Sequence, residues 1–423
     1  MPRAQTLTPA AARQRALEGL ALRLSGAPEI RRAREEARRI FLDDPEAAAG
    51  DGAASVEDAA DQHFWGALIL AMNTDPHHPQ IAPLFLYRHA IDGQEYPAAL
   101  HGGIENPDNV YRIVPICPQS RYVLKGVRHS PAPAQVTYEL MDSIPGLDGL
   151  GEQVALLMDR DMVVAPDGAF TITLDPDDAD GRPNHIRTTP EARCLFVRDT
   201  LSDWSTQSAD SLSIARVAGP YAPERGEADL IAEAARLIPH YARFWHQLPK
   251  TFRQKMAFKT NAFDPPYPRT GGWGFIANTH FDIADDEAFV FTTDPRTAPY
   301  HGVLIANHWW IAMDADRRCG AFNPAQARAD RDGRLTFVIA ARDPGAWNWL
   351  DTGGLRSGII QVRWQGTPPE MTAMPGVISD GEVVKLADLR AKLPPETVWL
   401  DAEGRRAQLA ARHASYKRRL NAS

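Results

Sequence analysis

Residues 106–127 read NPDNVYRIVPICPQSRYVLKGV, and this stretch decides the fold class. Two β-branched and aromatic runs, Val110–Ile116 and Arg121–Val127, are separated by a Pro, Gln and Ser break, the pattern of short paired strands. The same texture continues through Gln135–Leu140, Ala169–Leu174 and Cys194–Asp199, with Asp, Gly and Pro marking the turns. Strands at this spacing suit a sandwich or barrel better than alternating β and α units. A second β-rich stretch has candidate strands at Gly274–Asn278, Ala288–Thr292, Gly302–Trp310, Leu335–Ala341 and Gly358–Trp364.

Helical patterns flank these regions. Thr8-Pro9 places a capping residue before a proline at a first helical position, and Leu17, Leu20, Leu22 and Leu24 follow on roughly one face. A charged helix is expected from Pro28 to Phe41, and a third from a capping box at Ser55–Asp58. Between the β regions, Ala228, Ile231, Ala234, Ala235 and Ile238 recur at helical spacing until Pro239, which is expected to break or kink the run. An Arg-rich helix from Asp401 to Arg419 closes the chain. The expected architecture is mainly β with helical flanks (α+β): two β-sandwich or jelly-roll-like regions joined by a helical connector. The units are 1–75 helical, 76–205 β-rich, 206–262 connector, 263–380 β-rich and 381–423 a helical tail. No internal repeat stands out.

With 423 residues the chain is long enough for two or three domains. Its 46 basic and 54 acidic residues give a net charge of -8, which disfavours phosphate backbones, so no nucleic-acid partner is expected. No apolar run reaches the roughly 18 residues needed to span a bilayer, so no membrane partner is expected either. The N-terminus lacks the apolar centre of a secretory signal. Cys117, Cys194 and Cys319 are odd in number and far apart, forming neither a disulfide framework nor a metal knuckle. A cytoplasmic location follows.

Nucleophile-elbow, phosphate-loop, dinucleotide and H-E-x-x-H motifs are missing. No cofactor is expected, while a metal assembled from distant residues stays open. Nine of the ten tryptophans lie from Trp204 onward, several interleaved with polar residues. If Asn307-His308-Trp309-Trp310 is extended, Asn307 and Trp309 share one face, an amide beside an indole that would orient a flat ligand. The alternative is a sandwich core with its indoles simply buried. His280 and Asp282, two apart on a strand, share a face and suit general-base work, or else form a surface ion pair. His246 continues an aromatic helical stripe, and Asp343, Asn348, Trp349 and Asp351 border the glycine-loosened segment before Gly353-Gly354. Arg198-Asp199 with Asp203-Trp204 suits an arginine–carboxylate bridge at a domain junction.

Asn106-Pro-Asp-Asn109-Val-Tyr111, Phe196-Val-Arg198-Asp199, Asn307 with Trp309, Asn348-Trp349-Leu-Asp351-Thr352, Arg363-Trp364 and Leu393-Pro394 together resemble a bacterial family, domain-of-unknown-function family twelve-fourteen. The resemblance spans roughly residues 95 to 420 and implies a β-sandwich or jelly roll with no established general activity. Where that family often carries a histidine after the glycines, this chain has Leu355.

The expected function is a cofactor-independent lyase or hydrolase acting on an aromatic or hydrophobic small molecule. Acid–base chemistry falls to His280, Asp282, His246, Asp351 and Asp343. Asn307, Trp309, Asn348, Trp349, Tyr111, Asn109 and Arg198 would position the substrate. The competing readings are a non-catalytic small-molecule binding protein and a structural or interaction module. Oligomeric state is left open, a homodimer included.

Overall fold

A computed structural model describes residues 9–84, 89–91, 94–96, 100, 102–147, 149–256 and 258–421 of the chain. Thr8, the expected first cap, lies outside the described residues. Helix α1 (Pro9–Leu24) is followed by α2 (Pro28–Leu42), where extended Ala27 precedes a proline at the first helical position. Ile30, Ala33, Ala37 and Phe41 of α2 are buried at helical spacing, and its Arg and Glu residues occupy the other face. Helix α3 (Gly50–Ala71) starts ahead of the expected capping box, and Ser55 instead sits inside it, donating to the Asp51 carbonyl at 2.7 Å. Gly52 lets α3 begin against the preceding turn, because a Cβ there would stand 2.0 Å from the Glu46 carbonyl oxygen.

Three short strands, β1 (Ala82–Pro83) and the paired β2 (His89–Ile91) and β3 (Gln94–Tyr96), lead into the first sandwich. Its remaining strands are β4 (Asn109–Pro115), β5 (Arg121–Val127), β6 (Gln135–Met141), β7 (Gln153–Met158), β8 (Ala169–Asp175), β9 (His185–Arg187), β10 (Cys194–Thr200) and β11 (Ser211–Ala218). Helix α4 (Glu227–Met256) then crosses to the second sandwich. That sandwich contains β12 (Tyr267–Pro268), β13 (Gly274–Asp282), β14 (Glu287–Thr293), β15 (Tyr300–Ala306), β16 (Ala321–Phe322), β17 (Leu335–Ala340), β18 (Trp349–Asp351), β19 (Ser357–Gln365) and β20 (Glu382–Lys385). Short α5 (Leu389–Lys392) and long α6 (Ala402–Asn421) close the described chain.

The expected mainly β architecture with helical flanks is the one observed, and two of its details differ. Pro239 and Pro249 both lie inside a continuous α4. Burial of Leu237, Ile238, Tyr241, Ala242 and Trp245 against α2 and α3 outweighs the hydrogen bonds the prolines remove. The sandwiches also reach beyond their expected ends, since β11 falls within 206–262 and β20 within 381–423.

The topology is duplicated. The first sandwich pairs a sheet of order β1-β4-β10-β6-β7 with one of order β11-β5-β8-β9; the second pairs β12-β13-β19-β15-β16 with β18-β17-β14-β20. Reading β12 to β20 onto β1 and β4 to β11 makes the two arrangements identical, down to the one parallel pair in each, β8 with β9 and β17 with β18. No sequence repeat announced this, because the cores are built differently. Val114, Leu124, Val136, Leu140, Ile172 and Val197 fill the first, whereas Phe275, Phe281, Phe289, Phe291, Phe337 and Trp364 fill the second.

Each five-stranded sheet turns its other face to the helices. Tyr111, Ile113 and Phe196 of the first, and Leu304, Ala306 and Ile359 of the second, share one apolar cluster with α1 to α4. Helix α6 spans both units. Arg418 donates to the carbonyls of Trp204 and Gln207 at 3.1 and 2.8 Å, while Arg412 donates to that of Ala315 at 2.6 Å.

Candidate functional site

A cleft of about 270 Å³ lies where α4 meets the second sandwich. His280, Phe281 and Asp282 of β13, Ser357, Gly358 and Ile359 of β19, the turn Asn307–Trp310, Arg253 of α4 and Thr260 line it. His280 is held in place from both sides. It stands opposite Ile359 in the sheet, and its backbone bonds the strand-like segment at Lys259 and Asn261 at 2.9 and 2.8 Å. Gly358 is needed in the floor, because a Cβ there would lie 2.4 Å from the Ala306 carbonyl oxygen and 2.6 Å from the Phe281 ring.

The Asn307–Trp310 wall is a turn, correcting the expectation that β15 runs on through Trp310. The Asn307 side-chain oxygen accepts the backbone N–H groups of Trp309 and Ile311 at 2.9 and 3.0 Å, folding the chain back on itself. Trp310 pays with a left-handed φ of 60°. Asn307 and Trp309 therefore do not share a strand face. Trp309 is buried in the helical cluster, its indole N–H donating to the Gly52 carbonyl at 3.0 Å, and Trp310 is the indole that reaches the cleft.

Burial lowers the pKa of His280, and the positive charge of nearby Arg253 and His308 acts in the same direction against a backbone hydrogen bond with Gly358. Its imidazole is therefore neutral at pH 7, and its buried Nε2 has no hydrogen-bond partner. The indole N–H of Trp310 is likewise buried without a partner. At the rim, Glu46 accepts from Arg253 at 2.8 Å and bonds His308. Partial burial pushes the Glu46 pKa upward, but the His308 bond and the Arg253 charge hold it below its ordinary value. Asp282 lies at the same cleft with an exposed side chain, and no hydrogen bond or ion pair joins it to His280.

The other expected site residues lie elsewhere. His246 is buried in the helical layer, bonded to Asp44 at 2.6 Å and stacked on Trp309 with centroids 5.9 Å apart. Asp343 pairs with Arg405 of α6 at 2.9 Å, and Asp351 pairs with Arg318 at 3.2 Å. Asn348 ties two segments by donating to the carbonyls of Arg328 and Thr336 at 2.8 and 3.0 Å, and Trp349 donates to that of Ala340 at 2.9 Å. These four serve the frame of the second sandwich. Of the expected residues, His280, Asp282 and Asn307 converge on the cleft. Arg253, Thr260, His308 and Trp310 also line it and were missed: Arg253 and Thr260 carry no local motif, while His308 and Trp310 lie in the segment expected as strand.

Tyr111, Asn109 and Arg198 belong to a second polar region, the seam between the sandwiches. Asn109 donates to the Tyr111 hydroxyl at 3.0 Å, and Arg363 of the other sandwich donates to the same oxygen at 3.2 Å. Asn106 donates to Tyr300 at 2.9 Å, whose hydroxyl donates to Asp108 at 2.6 Å. Arg198 pairs with Glu139, and Asp199 pairs with Arg112, so arginine–carboxylate bridges form here, but both join neighbouring strands of the first sandwich rather than the expected domain junction.

No protein-family model matches the chain, and no curated protein matches it. Among solved structures it is similar to an uncharacterized protein from Burkholderia cenocepacia, at 23% identity over 89% of this chain and 99% of that one, with a TM-score of 0.65. The VPA0106 protein from Vibrio parahaemolyticus aligns at 10% identity over 66% of this chain and 90% of that one, with a TM-score of 0.40. The first likeness shows the fold. Among the described residues no helix is long and apolar enough to cross a membrane, and no three His, Cys, Asp or Glu side chains stand together as a metal site.

Proposed function

We propose that the protein is a small-molecule binding protein whose ligand occupies the cleft beside His280. The observation that carries this reading is the pair of unpartnered buried groups on residues of one cleft: the His280 Nε2 acceptor and the Trp310 N–H donor. An unmade buried hydrogen bond costs about 1–3 kcal/mol, and a ligand carrying one donor and one acceptor would recover it. Phe281, Ile359 and the Trp310 ring supply apolar surface, so the fitting class is a small, flat, largely apolar molecule with an amide- or azole-like polar edge.

Catalysis by His280 as a general base, in a lyase or hydrolase, is the second reading. A neutral imidazole with a free nitrogen favours it. The missing bond from Asp282 leaves the imidazole without an orienting carboxylate, which places binding first. We carry with this proposal a cytoplasmic location and the resemblance to domain-of-unknown-function family twelve-fourteen.

The test is ligand-observed NMR with benzamide, benzimidazole and indole, followed by mass analysis of each compound after incubation. Binding predicts saturation by at least one of them below ~1 mM and at least about tenfold weaker binding to His280→Leu, with the compound recovered unchanged. Consumption by the native protein and not by His280→Gln would establish the catalytic reading. Absence of saturation by all three rejects the cleft as a site for this class.

A further inference from the structure

Three arginines meet at the seam. Arg198 of β10 and Arg363 of β19 hold equivalent places in the duplicated fold. Arg198 faces Tyr111 and Thr137, the third residues of β4 and β6, and Arg363 faces Ile276 and Gly302, the third residues of β13 and β15. Each follows a valine, Val197 or Val362, that points into its own core. Arg269, in the turn after β12, completes the group.

Aromatic rings hold the three close. Trp273 packs against two guanidinium groups, with the Arg269 carbon 4.4 Å and the Arg198 carbon 5.3 Å from its ring centre. Tyr111 lies under the Arg198 carbon at 6.0 Å and accepts from Arg363 at 3.2 Å. Of the three, Arg198 is neutralised by Glu139, and Arg363 is held by the neutral Tyr111 and Gln361 and the Ile104 carbonyl. Among the described residues Arg269 has no hydrogen-bond or ion-pair partner for its guanidinium, only the Trp273 face. Burial lowers its pKa to about 10, and the Arg363 charge adds to the effect. Among the described residues Glu139 is the only carboxylate bonded to one of the three guanidinium groups, with Asp108 standing beyond Tyr300, so three positive charges meet one directly paired negative charge in a place partly shut off from water.

A second observation points the same way. The Trp273 indole N–H is buried without a partner, and so is the side-chain amide of Gln365, the residue opposite Gly274 at the start of β13. The side chain of Arg198 is 13% exposed and Arg269 is half-buried, so the seam is open on the Arg269 side.

We propose that the seam between the two sandwiches binds a small-molecule oxyanion, a phosphate or a carboxylate, through Arg198, Arg269 and Arg363 over the Trp273 face. Fork-shaped guanidinium donors match either oxyanion, and the adjoining rings would flank whatever the anion is attached to. This site is separate from the His280 cleft and stands whether or not that cleft binds anything.

The experiment titrates the full chain with inorganic phosphate and, separately, succinate, at ionic strength fixed with chloride, by calorimetry and tryptophan fluorescence. Saturable binding by either anion is expected, and Arg269→Gln should weaken it at least about tenfold while unfolding at the same or a higher temperature without anion. Trp273→Phe should keep the heat and lose the fluorescence change. A response to phosphate alone assigns phosphate esters as the ligand class, and a response to succinate alone assigns carboxylates. Saturation by neither anion, equal affinity in Arg269→Gln, or an unchanged fluorescence response in Trp273→Phe overturns the proposal.

Discussion

The two sandwiches share one strand order and solve the same packing problem with opposite chemistry. In the first, Arg112 and Asp199 form a buried ion pair, joined by Arg128, Asp210 and the Tyr138 hydroxyl, which donates to Asp210 at 3.1 Å. At the matching strand positions the second has Ala277, Trp364 and Val303. The Trp364 ring fills the space, and its N–H is satisfied by the Asp294 carbonyl at 2.9 Å. One topology thus accepts either a buried ionic network or a large aromatic in the same place. What both keep is the Val-Arg step that aims a guanidinium at the seam.

The largest effects should come from breaking those two solutions. Asp199→Ala strands buried Arg112 and is expected to destabilise the first sandwich by about 3–5 kcal/mol in urea unfolding. Trp364→Ala should cost the second a similar ~3–5 kcal/mol through its cavity. A loss below ~1 kcal/mol for Asp199→Ala would show that the ionic network is not the counterpart of the indole.

Next comes a difference in acid sensitivity. His301, buried beside Trp364 in the second sandwich, has its pKa lowered by burial to about 3, while the matching residue of β6 is Val136. The unfolded chain takes up this proton first, so the stability is complete above the ordinary value near 6.5. It falls by about 1.4 kcal/mol per pH unit as pH drops below that, down towards the folded value. His301→Val, which copies the first sandwich, should remove about one proton from the pH dependence of stability between pH 6 and 4. An unchanged slope would sink the assignment.

The smallest effect concerns the turns after β6 and β15, where Asp142 accepts the backbone N–H of Glu152 and Asn307 accepts those of Trp309 and Ile311. Asn307→Ala is expected to cost about 1–2 kcal/mol and to weaken any cleft ligand by more than Asp142→Ala does, because only the Asn307 turn carries Trp310 into a cleft. Equal effects on binding would separate the turn from the cleft.

Strand positions were legible because alternation and β-branching act locally: Arg121–Val127 is a strand as read. The duplication was not, since a mostly aliphatic core in one and a Phe-rich core in the other leave two dipeptides, Val197-Arg198 and Val362-Arg363, as its trace. The His280 and Asp282 spacing placed both at the cleft, yet adjacency on a strand did not make them bond. Arg253 reaches it from α4, and Glu46 bonds Arg253 and His308 from the helical layer, contacts fixed by tertiary packing alone. The Asn307–Trp310 segment misled because its tryptophans favour strands while the Asn side chain supplies a turn.

Helix α6 has a consequence for assembly. Arg412 and Arg418 grip loops of different sandwiches, and Arg419 of the same helix, fully buried, donates to the Asn109 carbonyl at 2.7 Å. This clasp comes after both sandwiches in the chain, so during synthesis each can fold before the two are fastened together. Before the clasp closes, the shared helical cluster and the Asn106–Tyr300 and Arg363–Tyr111 bonds are what join the two, so α6 adds a third tie across a junction where arginines face one another.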